Sequence, residues 1–217
     1  MLSADSSAWL RAVGKLQVPG QRYSNGHRSH FLEDCSATLI SLAGQREADT
    51  IITAWHCLEL YGDLSKPIVF VTTTASGEPV KRHARRLADG GGMHADWAIL
   101  RLRRSVSSAQ ITSLNIHPQM ANPSRPVTMA GYSNSNNIDG TGETLTFDPA
   151  CAIRNQQSSF SETNCMAHKG ASGGAVIQLS DGGKPWMSGV ISQGDGKGRS
   201  TFVPVSMFRS AINLHLQ

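Results

Sequence analysis

Short apolar or alternating runs recur along the whole chain, separated by residues that favour turns. They lie at residues 37–42, 50–54, 68–72, 97–102, 127–130, 143–147, 175–179, 187–192 and 201–205. Runs of this length with period-two alternation are typical of β-strands. The Gly and Asp clusters between them recur at intervals too short for crossover helices. The pattern therefore predicts an antiparallel sandwich or barrel.

A stretch without periodicity separates these runs into two groups. Residues 105–126 are rich in Ser, Asn, Gln and Pro and show no sustained alternation. Such a composition is typical of a connection between structured units. We therefore expect two units of similar size, at residues 12–107 and 126–204.

The end of the chain follows a different period. Val205, Phe208, Ile212 and Leu216 are spaced as on one face of a helix. The spacing predicts a short helix at residues 205–217 that packs through this face. The rest of the chain is expected to be all-β.

The composition supports this class and limits the partners. Only 17% of the 217 residues are charged and 21 are glycine, a balance that suits short strands joined by tight turns. No window of the sequence approaches the roughly 18 consecutive apolar residues that a membrane helix needs. We expect no membrane partner.

Four cysteines add a further constraint. We expect Cys35 to pair with Cys57 and Cys151 with Cys165, because each pair closes a modest loop within one half of the chain. Zinc favours CxxC-like spacings, which are missing, and no histidine falls in an HExxH or similar pattern. The sequence thus predicts two disulfides, no metal site, and a secreted or periplasmic protein, because disulfides persist in oxidising compartments.

The net charge is mild at +4, but the cations are clustered. The clusters consist of Lys81, Arg82, His83, Arg85, Arg86, Arg101, Arg103 and Arg104. Such clusters bind nucleic acid, heparin-like polyanions or acidic surfaces. A solvated strand face with its connecting turn also explains them, and we favour it because no aromatic residues are interleaved to stack on bases. No nucleic-acid partner is expected.

Two apolar strands carry polar residues suited to acid–base chemistry. His56 follows the apolar run 51–54, and the neighbouring Cys57 can be pinned to Cys35. Asp96 stands at the mouth of a strongly apolar strand, where a partly buried carboxylate needs a donor such as an imidazole N–H. Taken singly, a structural histidine is the commoner interpretation of the first segment, and an aspartate that caps a turn explains the second equally well.

A glycine-flanked serine is more informative. Gly170-Ala171-Ser172-Gly173-Gly174 leads directly into an apolar strand. Glycines on both sides free the backbone to adopt positive φ and to direct successive N–H groups at one point. We expect the N–H groups of Gly170 and Ser172 to form an oxyanion hole. The alternative is a flexible Gly-Ser turn, which the immediate start of the strand disfavours.

The order of the three segments selects among catalytic folds. His, Asp, Ser is the order of chymotrypsin-type triads, unlike that of subtilisins or α/β-hydrolases. TAWHC, HADWAIL and GASGGAV resemble the signatures of trypsin-like, chymotrypsin-fold serine proteases, and the similarity spans about residues 35–205. It implies two six-stranded antiparallel β-barrels, with His56 and Asp96 from the first and Ser172 from the second. The second half is most similar to bacterial glutamyl-endopeptidase-like members.

The resemblance also implies a substrate-binding cleft beside the nucleophile. Its lining would be Met166, Ala167, His168, Ile191, Ser192, Gln193 and Gly194. Ser192 matches a serine that usually bonds the triad aspartate. Ala171 stands where animal digestive members have an aspartate that pairs with a newly cut N-terminus, and Ile191 stands where glutamate-specific members have a histidine. Activation by that ion pair and acidic specificity are therefore not expected.

The expected selectivity follows from the pocket base. Met166 falls at this position, and no aspartate is there to attract Arg or Lys. We expect cleavage after apolar or small residues, because an unpaired buried cation is costly. The exception would be a protonated His168 that turns inwards and draws in an acidic side chain.

The chain is therefore expected to be a serine endopeptidase with His56, Asp96 and Ser172 as its triad. It would hydrolyse polypeptides through an acyl-enzyme, as a monomer, with no metal or organic cofactor. The competing hypothesis is a catalytically silent, protease-like binding module that uses its basic face. Labelling by a fluorophosphonate distinguishes the two.

Overall fold

The alternating runs of the first half close into a barrel in the computed structural model, which describes residues 7–135 and 140–216. Its strands are β1 (Val13–Ser24), β2 (His27–Ile40), β3 (Glu47–Thr53), β4 (Ile68–Thr73), β5 (Pro79–Asp89) and β6 (Ala98–Ser107). Hydrogen bonds close them in the order β1-β2-β3-β6-β5-β4. Two 3-10 helices, Ala8–Ala12 and Trp55–Leu58, precede β1 and follow β3.

The interior of this barrel is filled by alternate residues of its strands. Leu16 on β1 pairs with Phe70 on β4, and Leu39 on β2 pairs with Ile51 on β3; all four are fully buried. Gly14 makes room for the phenylalanine, because a Cβ at Gly14 would lie 2.4 Å from the Phe70 ring. The result is a packed core that holds the connecting loops in place.

The second half forms a curled sheet. Its strands are β7 (Asn115–Ile116), β8 (Val127–Gly131), β9 (Asn134–Ser135), β10 (Gly140–Thr141), β11 (Thr146–Cys151), β12 (Ile153–Gln156), β13 (Ser161–Thr163), β14 (Ala175–Leu179), β15 (Pro185–Gly194) and β16 (Ser200–Pro204). Strands β9 and β10 pair separately, and the others run in the order β11-β8-β14-β15-β16-β13-β12, with β7 beside β15. β11 and β12 are the two edge strands of this sheet, and only Ala152 separates them in the sequence. The sheet therefore curls enough to bring its two edges together. This curled sheet takes the place of the second barrel, and the all-β class is confirmed.

The predicted terminal helix is present. A 3-10 turn at Val205–Met207 leads into α1 (Arg209–His215). Phe208 and Ile212 are buried, as the helical spacing predicts. Phe208 stacks on Trp97 of the first half, with 5.7 Å between ring centroids, so the chain end returns to the first barrel. Gln217, the last residue of the predicted helix, lies outside the described residues.

Two strands of the first barrel, β1 and β5, escape the apolar pattern because they carry many polar side chains. β1 forms a long hairpin with β2 whose outer half is mostly exposed, and five of the eleven residues of β5 are Lys, Arg or His. In the second half, the strand expected from residue 143 begins at Thr146 as β11, and β7 lies inside the predicted connection. The division into units at 12–107 and 126–204 stays a prediction.

Both expected disulfides are present. The Cα atoms of Cys35 and Cys57 are 6.2 Å apart, and those of Cys151 and Cys165 are 5.3 Å apart. Each bridge joins residues of the same half. Within the described residues, no helix has both the length and the apolar character needed to cross a membrane.

Candidate active site

The site lies where loops of the barrel face loops of the curled sheet. His56 belongs to the 3-10 turn after β3, and the disulfide between Cys57 and Cys35 attaches this turn to β2. The backbone N–H of His56 donates to Asp96 Oδ1 at 2.9 Å, and Nδ1 of its ring lies 2.8 Å from Asp96 Oδ2. An ionised carboxylate only accepts, so Nδ1 carries the proton and Nε2 is left with a lone pair.

Asp96 is almost entirely buried, with 1% of its surface exposed. Besides the two donors of His56, it accepts a hydrogen bond from Ser192 Oγ at 2.5 Å. Burial alone raises the pKa of this carboxyl, but the hydrogen bonds and charge of His56 and the bond from Ser192 outweigh it, and the pKa is lowered overall. The carboxylate is therefore ionised at neutral pH and fully engaged.

The loop before β14 carries Ser172. Gly170 and Gly173 adopt positive φ values of 89° and 81°, as the sequence led us to expect. A Cβ at Gly173 would lie 2.2 Å from Ser36 O, so only glycine fits there. The Ser172 hydroxyl donates to Ser192 O at 3.4 Å, a long bond, and no hydrogen bond joins it to His56 in the described part of the chain.

The backbone N–H groups of Gly170 and Ser172 have no acceptor among the described residues. Asn134 N donates to Lys169 O at 2.6 Å. The C=O and the following N–H of a trans peptide point in opposite directions, so the Gly170 N–H points away from Asn134. Neither the Gly170 N–H nor the Ser172 N–H donates to another of the described residues. Gly170 and Ser172 are two residues apart, and backbone N–H groups beside a serine hydroxyl are the kind of donor that stabilises an oxyanion.

Ser36 was not predicted from the sequence, and it attaches this loop to the barrel. Ser36 N donates to Ser172 O at 2.8 Å, and Ser36 Oγ donates to Gly170 O at 2.8 Å. The same hydroxyl accepts from Tyr132 N at 2.8 Å, and the residue is fully buried. No sequence signal marks it, because its partners are 96 or more positions away.

The expected cleft residues are divided between two cavities. One, of about 350 Å³, is lined by His56, Met93, His168, Lys169, Ser172, Ser192, Gln193 and Gly194. A second, of about 130 Å³, is lined by Met166, Ala167, Ile191 and their neighbours, and His168 borders both. The structure therefore brings four of the seven expected cleft residues into the cavity of His56 and Ser172.

The space between the two cavities is narrow. A Cβ at Gly194 would lie 2.2 Å from Ala167 O, so the β15 strand and the 166–168 segment touch. Met166 is 54% exposed, and its N–H donates to Asp148 Oδ2 at 2.7 Å. Asp148 also lines the smaller cavity. It was missed because it lies 18 positions before Met166, on a different strand.

Potential metal ligands also come together at two places. They are Cys35, His56 and Cys57 at one, and Asp148, Cys151 and Cys165 at the other. All four cysteines belong to disulfides, and a disulfide sulfur is not the thiolate that binds metals. Neither group is a credible set of ligands.

Comparisons with known proteins place this site in a family. The profile described as "Trypsin-like peptidase domain" matches residues 35–183. No curated protein sequence is similar enough to count as a match. Among solved structures, the chain is similar to the thermostable serine protease AL20 from an extremophilic microorganism (18% identity, 96% of this chain and 98% of that chain covered, TM-score 0.69). It is also similar to the protease Anisep from Arthrobacter nicotinovorans (18% identity, 96% and 97% covered, TM-score 0.68).

These likenesses establish the fold, and the profile covers well over half of the chain, including the segments that carry His56, Asp96 and Ser172. The glycine-rich loop, the buried carboxylate and the cleft between barrel and sheet agree with it. The chain therefore belongs to the trypsin-like peptidases and has the chymotrypsin fold.

Proposed function

We propose that the protein is a serine endopeptidase with Ser172 as nucleophile, His56 as general base and Asp96 as the group that orients the histidine. One observation carries the proposal. Asp96 is buried, ionised and bonded twice to His56, whose free Nε2 belongs to the same cavity as the Ser172 hydroxyl. A base so oriented next to a nucleophile is the arrangement that acyl transfer requires.

The first step is transfer of the Ser172 proton to Nε2 of His56 as the hydroxyl oxygen attacks the peptide carbonyl carbon. The hydroxyl must turn away from Ser192 O, and its 3.4 Å bond there is weak enough to be replaced. Hydrogen bonds of this kind tighten when substrate binds. The negative charge that develops on the carbonyl oxygen is then stabilised by the N–H groups of Gly170 and Ser172.

The remaining steps return the proton. The imidazolium protonates the leaving amine, which frees the new N-terminus and leaves an acyl ester on Ser172 Oγ. Water then attacks the ester with His56 again acting as base. Throughout, the charge of Asp96 stabilises the imidazolium, and Ser192 Oγ holds the carboxylate in place.

We propose that this chemistry takes place outside the cytosol, on polypeptide substrates. Two disulfides support the location, since they form and persist in oxidising compartments. A secreted or periplasmic protein satisfies this condition.

Replacement of the nucleophile tests the proposal. Ser172→Ala should lose fluorophosphonate labelling and nearly all peptidase activity, a fall in kcat on the order of 10⁶-fold, because a methyl group cannot attack the carbonyl. Its thermal unfolding should stay close to that of the wild type. The exposed Ser158 is a matched control, and Ser158→Ala should be labelled normally.

Two results would contradict the proposal. Undiminished turnover by Ser172→Ala would exclude Ser172 as nucleophile. A wild-type protein that is folded, is not labelled and cuts no peptide in a library would instead indicate a silent binding module.

A further inference from the structure

Positive charge is concentrated in one hairpin of the barrel. Residues 79–107, which hold β5 and β6, contain seven Lys and Arg against two Asp, a net charge of +5. The whole chain carries +4, so the remainder is slightly acidic. A charge asymmetry of this size creates a directed field that attracts a partner of opposite sign.

The strand geometry aligns these cations on the outside of the barrel. Side chains two apart on a strand share a face, and Lys81, His83 and Arg85 alternate with the buried Val80 and Ala84. On the neighbouring strand, Arg101 and Arg103 flank the buried Leu102, and Arg101 is directly opposite Arg85. We call these five outward residues the basic face: Lys81, His83, Arg85, Arg101 and Arg103.

The basic face is poorly neutralised within the protein. Arg101 pairs with Asp49 at 2.8 Å. No ion pair forms at Lys81, Arg85 or Arg103 among residues 7–135 and 140–216. Like charges directly opposite each other on paired strands are destabilising, but Asp49 offsets the charge of Arg101 and its guanidinium also donates to His215 O, so the unneutralised charge of the face is that of Lys81, Arg85 and Arg103.

We propose that the basic face binds a linear sulfated polysaccharide along β5 and β6. From Lys81 to Arg85 the strand extends about 13 Å, which suits repeated anionic groups on an extended chain. Arginine presents a planar fork of donors that matches sulfate oxygens. The face carries no Phe, Tyr or Trp for stacking on bases, and no exposed large apolar side chain for insertion into a bilayer. These features favour a polysaccharide over nucleic acid or a membrane.

Binding there should leave the catalytic cleft open. The β5–β6 connection carries Asp96 and Met93, which belong to the cleft side of the hairpin. The basic face lies on the outer sides of the strands themselves. A bound polymer would therefore anchor the protein while the cleft remains accessible to polypeptides.

The test measures binding of fluorescent heparin by anisotropy across a salt series. The variant Lys81→Gln/Arg85→Gln/Arg103→Gln should bind at least about tenfold more weakly near 150 mM salt, and the slope of log K against log salt should fall by about three, as for removed phosphate contacts. Its melting temperature should not decrease, because like charges have been removed. Ser172→Ala should bind as the wild type does, so this test is independent of catalysis.

A control variant separates a specific face from general charge. Lys66→Gln/Arg22→Gln/Arg154→Gln removes the same charge from exposed residues elsewhere and should keep nearly full affinity. Equal losses in the two variants, or no binding of heparin by the wild type, would overturn the proposal. Equally tight binding of a DNA duplex or of phosphatidylserine vesicles, with the same sensitivity to the basic-face variant, would overturn the choice of polysaccharide.

Discussion

At the scale of single residues, the proposed catalysis depends on how His56 is held. A neutral imidazole carries one proton, and the hydrogen bond to the buried Asp96 carboxylate keeps this proton on Nδ1. Asp96 also accepts hydrogen bonds from the Ser192 hydroxyl and from the backbone N–H of His56. A change at Asp96 should therefore affect the chemical step more than substrate binding.

Asp96→Asn tests this role. An amide can donate to Nδ1 and stabilise the wrong tautomer, so we expect kcat to fall by about 10³ to 10⁴ with little change in KM. Because the pKa of Asp96 is lowered on folding, its stabilising contribution is present above its unfolded pKa and is lost as pH falls through the folded value. Denaturant unfolding between pH 5 and 2 should show this acid loss reduced in the variant. A KM effect without a kcat effect would contradict the assignment.

We expect Ser36 to influence the reaction by positioning the loop that carries Ser172. In Ser36→Ala the carbonyl of Gly170 and the N–H of Tyr132 lose their buried partner, which should cost about 1 to 3 kcal/mol of stability for each. The Gly170 donor should then be less well oriented, with kcat reduced about 10²-fold and KM little changed. Affinity for a peptide aldehyde, which forms the oxyanion, should fall in parallel with kcat.

A serine outside the site provides the control for that variant. Ser41 is also buried, and its hydroxyl bonds Ser113 Oγ at 2.7 Å. Ser41→Ala should lose stability without losing kcat or aldehyde affinity. If both variants keep full kcat, Ser36 is structural only.

At the scale of elements, we propose that β15 and the segment before Ser172 set the selectivity. They touch at Gly194 and Ala167, so the space between them is narrow. An apolar run predicted β15 and the family resemblance pointed to residues 166–168, but the separation of the two depends on the register between distant segments. The contact changes the expected selectivity from apolar or small residues to small ones.

We therefore predict cleavage after small side chains. In a peptide library, kcat/KM should be highest for Ala or Ser before the cut and should fall by about tenfold or more for Phe, because larger side chains must force the walls apart. Arg and Lys should be poorer still, because no carboxylate lines the cavity of His56 and Ser172. Preferential cutting after Arg or Lys would show that Asp148, or a different pocket, governs selectivity.

At the scale of the whole molecule, the cleft exists because two halves are held together. Ser36 bonds the nucleophile loop, Lys15 of β1 bonds Glu143 at 2.6 Å, and Phe208 before α1 stacks on Trp97. Trp97 directly follows Asp96. The start of the terminal helix thus supports the segment that holds Asp96, the carboxylate that we propose orients His56.

Phe208→Ala should reveal this support. Loss of a fully buried ring should cost about 3 to 5 kcal/mol and lower the denaturation midpoint. Leu214→Ala in α1 is the control, because Leu214 is 69% exposed and should change stability by less than about 0.5 kcal/mol. Equal effects of the two changes would show that the helix does not pack as described.

The all-β class, the terminal helix and the three segments around His56, Asp96 and Ser172 could be predicted from the amino-acid sequence. These features are local: strand alternation, helical spacing and glycines beside a serine act over a few residues. The cysteine pairing was also predictable, because each loop lies within one half. The apolar pattern did not reveal β5 because its outer face is solvated and the apolar signal is diluted, but its basic cluster was expected to form a solvated strand face.

The contacts between these segments, in contrast, could be learned only from the folded molecule. Ser36 reaches Gly170 across 134 positions and Asp148 reaches Met166 from another strand, and no local pattern encodes either contact. The division of the cleft residues between two cavities, and the contact of Ala167 with Gly194, follow from how the curled sheet packs against the barrel. Such contacts depend on the positions of whole elements relative to each other, which a chain acquires only when both halves have folded and docked.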